Sequence, residues 1–143
     1  MERWQRRIAA PFIFAAVTLA ASAWASTASI HAPRTATIGG RVTVRASGLI
    51  KGAYALTLVS DSHPTSDGSC VARLSATTHT RAGAVTLSGT IPAKLTCYRA
   101  ASIELGRVNT PKGGYHLVIA EPTAPDGFDA SGSFVRSPLT ITG

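Results

Sequence analysis

Few side chains in this sequence could do chemistry, and their spacing says which chemistry is open to them. His31, His63, His79 and His116 could each offer a neutral imidazole to zinc or copper. None belongs to an H-x-H or H-x-x-x-H pair, so no local geometry holds two of them on one ion. Asp61, His63, Ser66 and Asp67 bring the residue types of a hydrolase triad into one loop. A triad takes its geometry from separate elements, and no G-x-S-x-G surrounds Ser66. The expected structure there is a turn whose Asp and Ser side chains bond local backbone. Glu121, Asp126 and Asp129 supply oxygens of the kind calcium takes, at a spacing that fits no recognised calcium loop. A solvated turn is expected, with Phe128 as a plug that holds it down. Cys70 and Cys97 are not in the C-x-x-C spacing of a redox-active pair.

The elements that would position these residues begin after an export-type leader. Arg3, Arg6 and Arg7 precede an apolar run from Ile8 to Ala25, and small residues follow. Residues 1–25 are therefore read as a secretory signal helix. Cleavage is expected after Ala25 in Ala23-Trp24-Ala25, with the site after Ala23 as the alternative. An uncleaved anchor is the rival, and it would be the chain's one contact with a membrane. The run is about 18 residues long, at the short end for a spanning helix, and contains Pro11.

Residues 26–143 are then a single exported domain. In that setting Cys70 and Cys97 pair as one structural disulfide, and closing the loop between them stabilises by about 3.6 kcal/mol. Three of the 14 Lys and Arg residues and one of the 7 Asp and Glu residues fall in the leader. A formal charge of +7 thus becomes about +5 in the remainder, which suits an anionic polymer of the cell envelope as partner. Both tryptophans, Trp4 and Trp24, are lost with the leader. Tyr98 is left as the foremost ring for stacking on a sugar, since Tyr54 and Tyr115 share faces with core residues. Nucleic-acid binding would need basic residues interleaved with aromatic platforms, and these are missing.

Residues 26–143 read as strands and turns. Arg41–Ser47 alternates, with Val42, Val44 and Ala46 on one face and Arg41, Thr43 and Arg45 on the other. Tyr54, Leu56 and Leu58 share a face, as do Cys70, Ala72, Leu74 and Ala76 in a strand expected over Cys70 to Thr78. Strands are also expected near Thr35, over Ala84–Ile91, Ala101–Val108, Gly114–Ala120 and Ser133–Thr142, with Leu95–Tyr98 short or irregular. Pro138 suits an edge or a bulge. About seven or eight strands at this spacing predict an all-β sandwich or barrel.

The segment Thr110–Leu117 (TPKGGYHL) resembles the turn-to-strand corner in which a Tyr hydroxyl bonds back to the backbone. With the strand pattern, this resembles the immunoglobulin-like antiparallel β-sandwich of exported bacterial proteins. The sequence departs from antibody-type domains in having no Trp to pack on the disulfide. Its cysteines are also too close in sequence for the usual bridge between sheets. Lys51–Leu56 and Lys112–Leu117 share K-G-x-Y-x-L, read as one local solution used twice: glycine turns the chain and Tyr opens a buried face.

The resemblance implies a non-catalytic binding or structural role at the envelope or outside the cell, with no cofactor. An envelope polyanion or another exported protein is the expected partner. The alternatives are a small secreted enzyme, an inhibitor presenting Pro92–Tyr98, or a copper or zinc carrier. Similar exported copper carriers use a histidine near the mature N-terminus, where His31 stands, but also methionine-rich segments that this chain lacks.

Overall fold

The computed structural model describes residues 28–61, 68–81, 83–99, 103–123, 127–129 and 134–143. Residues 1–27, which include the segment expected to be a leader, and His63, Ser66, Asp67 and Asp126 lie outside the described residues. Among the described residues the chain is all-β with no helix.

The strands in chain order are β1 (Ser29–His31), β2 (Thr35–Thr37), β3 (Arg41–Ser47), β4 (Gly52–Ser60), β5 (Gly68–Arg73), β6 (Thr78–Thr80) and β7 (Val85–Thr90). They continue as β8 (Lys94–Arg99), β9 (Ile103–Asn109), β10 (Gly113–Ala120), β11 (Pro122–Thr123), β12 (Gly127–Phe128) and β13 (Phe134–Thr142). A small sheet has the order β1-β3-β7, and a large one the order β2-β13-β10-β4-β5-β8-β9, with β6 also on β4. The strands β11 and β12 form a separate ribbon.

Strand alternation builds a shared core. Every second residue of β3, namely Val42, Val44 and Ala46, is buried, and Leu87 of β7 joins them from the same sheet face. From the large sheet come Tyr54, Leu56 and Leu58 of β4, Tyr115, Leu117 and Ile119 of β10, and Leu139 and Ile141 of β13. Gly89 of β7 is the closest approach between elements here. A Cβ at this residue would stand 2.3 Å from the carbonyl oxygen of Leu74, so only glycine fits.

Several strands differ from the expected ones. The strand expected over Cys70 to Thr78 is broken into β5 and β6. Its cause is Ser75, whose Oγ accepts the Leu56 N–H at 2.9 Å while Leu74 N–H donates to the Leu56 carbonyl. A side chain thus completes the ladder and the chain steps out of the strand. Leu95–Tyr98 is part of a longer strand and carries one irregularity, a register shift between Cys97 and Tyr98. It lies within β8, paired with β5 on one side and β9 on the other. Nor is the large sheet wholly antiparallel, because β2 runs parallel to β13.

Pro138 sits where its missing N–H is harmless. Thr140 donates its N–H to Arg34 on the β2 side of β13, and Pro138 has the same parity. Pairing between β13 and β2 covers only Thr140, Ile141 and Thr142, so the imide nitrogen faces an open edge.

The two K-G-x-Y-x-L segments do use one local solution. Tyr115 donates its hydroxyl to the carbonyl of Pro111 at 2.5 Å, and Tyr54 donates to that of Ile50 at 2.5 Å. The strands that carry them, β4 and β10, are antiparallel neighbours with Leu117 opposite Leu58. Their corners therefore stand at opposite ends of one strand pair.

Candidate functional site

The three described histidines are dispersed. His31 lies on β1 opposite Arg45, His79 on β6 opposite Ala53, and His116 on β10 between Val59 and Pro138. Among the described residues no group of three or more His, Cys, Asp or Glu could hold a metal.

One polar pair does form. Asp61 follows the end of β4, and its N–H donates to the carbonyl of Gly114 at 3.1 Å. That bond carries the β4–β10 register one step further and sets the carboxylate beside the next outward residue of β10. His116 Nδ1 lies 2.6 Å from Asp61 Oδ1. Gly114 leaves the space, since a Cβ there would stand 3.1 Å from Asp61 Oδ2. Asp61 thus orients the ring through Nδ1 and leaves Nε2 turned away, the arrangement of the orienting half of a triad. The side chains are 33% and 45% exposed, so water screens the pair and its net stabilisation is at most about 1 kcal/mol. Where a bond to local backbone was expected, the Asp61 side chain pairs across strands with His116; His63, Ser66 and Asp67 lie outside the described residues.

The outer face of the large sheet is largely covered. Ala55, Thr57, Val71, Val118 and Ala120 are buried although they point away from the shared core. The β11–β12 ribbon belongs to this side. Arg73 Nη2 donates at 2.9 Å to the carbonyls of both Thr123 and Gly127, and Asp129 N–H donates to the Glu121 carbonyl. Phe128 is half-buried, with its ring centroid 6.2 Å from that of Phe134. Glu121 and Asp129 flank a tied ribbon where a plain solvated turn was expected.

Cys70 and Cys97 are bonded, with their Cα atoms 3.9 Å apart. They face each other on neighbouring strands β5 and β8 of the same sheet and are buried in the shared core. The segment expected to present an inhibitory loop, Pro92–Tyr98, becomes this internal strand, with Leu95, Cys97 and Tyr98 buried. Tyr98 is only 6% exposed, and Tyr54 and Tyr115 are buried too, so none of these tyrosines is presented to a sugar. Burial holds the Tyr115 hydroxyl above the usual tyrosine pKa of 10.0. At the sheet edge the alternation of β9 fails. Ile103 and Leu105 are 48% and 43% exposed on this end strand, beside the register shift between Cys97 and Tyr98.

The small sheet presents a different surface. Its outward residues on β3 are Arg41, Thr43 and Arg45, all exposed. Across from them on β7 stand Thr90, Ser88 and Thr86. On the other side β1 adds His31 opposite Arg45 and Ser29 opposite Ser47. The hydroxyls link across strands, Thr43 with Ser88 at 2.9 Å and Ser29 with Ser47 at 2.8 Å. Alternation in one strand was legible in the sequence; the gathering of three strands into a face of Ser, Thr, Arg and His was not.

Comparison with protein-family models, with curated proteins and with solved structures finds no match to this chain.

Proposed function

We propose that the chain is an exported, non-catalytic, immunoglobulin-like β-sandwich that serves as a binding or structural module at the cell envelope or outside the cell. Support for the architecture comes from strand order. The β3-β7 pair corresponds to strands B and E of that fold, and β4, β10 and β13 to C, F and G. Tyr115 then sits near the start of the F-like strand, where the tyrosine corner belongs. The disulfide within one sheet and the β8–β9 hairpin are departures from it. Export is supported by the leader and by a buried disulfide, which persists in oxidising compartments.

The observation that carries the binding role is the outer face of the small sheet, polar and largely exposed. Such a face contacts an extended partner without enclosing it, as a binding module does. The test is expression of the full chain in an exporting bacterial host. We expect released protein beginning at Ser26 with no free thiol. Retention inside the cell with both thiols free would overturn the reading. A second reading, in which another exported protein adds a strand at β9, is favoured by the exposed Ile103 and Leu105. Substituting both with Lys would abolish such pairing in a sedimentation assay with that partner.

A further inference from the structure

We infer that the outer face of the β1-β3-β7 sheet is a docking surface for an acidic polysaccharide; this rests on the export and binding role just proposed. Three observations carry it. The first is charge. Arg41 and Arg45 point outward from one strand, and His31 stands beside Arg45. Neither β1, β3 nor β7 contains an Asp or Glu. The described carboxylates, Asp61, Glu104, Glu121 and Asp129, lie instead on or beside strands of the large sheet and the ribbon. Among the described residues no carboxylate on this face neutralises the two arginines, which leaves them to complement an anion.

The second observation is the chemistry between the arginines. Thr43, Thr86, Ser88 and Thr90 each present a hydroxyl that can donate and accept, which matches the hydroxyls of a sugar. Each guanidinium offers a fork to a carboxylate. The third is shape. Four residues along a strand separate Arg41 from Arg45 by about 13 Å, so one extended polymer can reach both while lying flat on the sheet.

The same residues select among polyanions. The outward positions include no Phe, Tyr or Trp on which a base could stack, and a single imidazole, His31. They include no apolar side chain to enter a bilayer. What remains is a partner that is at once anionic and rich in hydroxyls.

The test uses protein purified from the full chain with its disulfide intact, and polygalacturonate as the probe. Dextran, double-stranded DNA and vesicles of anionic phospholipid are run beside it. Polygalacturonate should bind at low ionic strength and dextran should not. The exposed arginines each contribute on the order of fivefold in affinity. At their separation the effects add, so Arg41→Ala with Arg45→Ala should weaken binding roughly 20-fold. The Gln pair, which keeps most of each stem, should lose as much. Lys94→Ala with Arg107→Ala, on the large sheet, should change nothing.

Absence of binding to polygalacturonate would overturn the inference. So would equal binding of DNA or vesicles, or equal loss in the Lys94 and Arg107 variant. Export and thiol state are read separately, from the N-terminus and thiol count. An exported, oxidised protein that ignores the polymer therefore refutes the ligand and leaves the broader reading intact.

Discussion

Replacing Tyr115 with Phe removes one hydroxyl and leaves the ring in place, which makes it a clean probe of the corner. Tyr115 is 1% exposed and donates to the Pro111 carbonyl at 2.5 Å. Losing the bond forfeits its net contribution and strands the acceptor, together about 1.5 kcal/mol. For a domain of this size that lowers Tm by roughly 6 °C. Tyr54→Phe should cost the same, because Tyr54 is 2% exposed and bonds the Ile50 carbonyl in the same way. Tyr115 stands across from Ser60, at the far end of β4 from Tyr54, a separation of about 20 Å. The double variant should therefore lose about 3 kcal/mol, additive to within about 0.5 kcal/mol.

The same hydroxyl contributes to the loss of stability at alkaline pH. Its folded pKa is raised by burial above 10.0, so the unfolded tyrosine loses its proton first. Between the two values the unfolded state holds fewer protons and stability falls as pH rises. Below the unfolded value the contribution is whole. Tyr115→Phe should flatten that alkaline decline. Urea unfolding followed by circular dichroism at several pH values reads all of this. A cost below about 0.3 kcal/mol for Tyr115→Phe, or a coupling above 1 kcal/mol in the double variant, would refute the reasoning.

Three further outcomes are expected. Gly89→Ala should destabilise by about 1–2 kcal/mol in urea unfolding, although Ala ordinarily gains from unfolded-state entropy. The reason is the Leu74 carbonyl 2.3 Å from the new Cβ, and a neutral or stabilising result would count against the packing described. Replacing Cys70 and Cys97 together with Ala should cost about 3–4 kcal/mol, and an unchanged urea midpoint would remove the bridge from the stability argument. Arg73→Ala should free the ribbon, raising hydrogen exchange at the Asp129 amide by at least tenfold while Tm moves only a few degrees. Exchange that rises uniformly over β4 and β10 would mean the ribbon is part of the main cooperative unit.

Much of the fold was legible because strand structure writes itself locally. The alternation of β3, the glycines flanking it and the TPKGGYHL corner all reflect neighbours in sequence. What was not legible depends on pairing partners. Tyr98 is buried because β5 and β9 flank its strand and the register shifts beside it. Ile103 and Leu105 are exposed on the end strand of the sheet. Asp61 was grouped with its sequence neighbours, yet its hydrogen-bond partner is His116 on another strand. Ser75 looked like part of a strand, and its hydroxyl breaks that strand in two.

The sequence by itself determined the all-β class, the one possible disulfide, the leader-type segment and the outward Arg-Thr-Arg row of β3. Each follows from residue type and a period of two. The tertiary structure alone decided which rows lie side by side. It placed the hydroxyls of β7 and the imidazole of β1 against those arginines, and it set the described carboxylates elsewhere. Register between distant strands is fixed by burial of the shared core, and no local pattern in the chain encodes it.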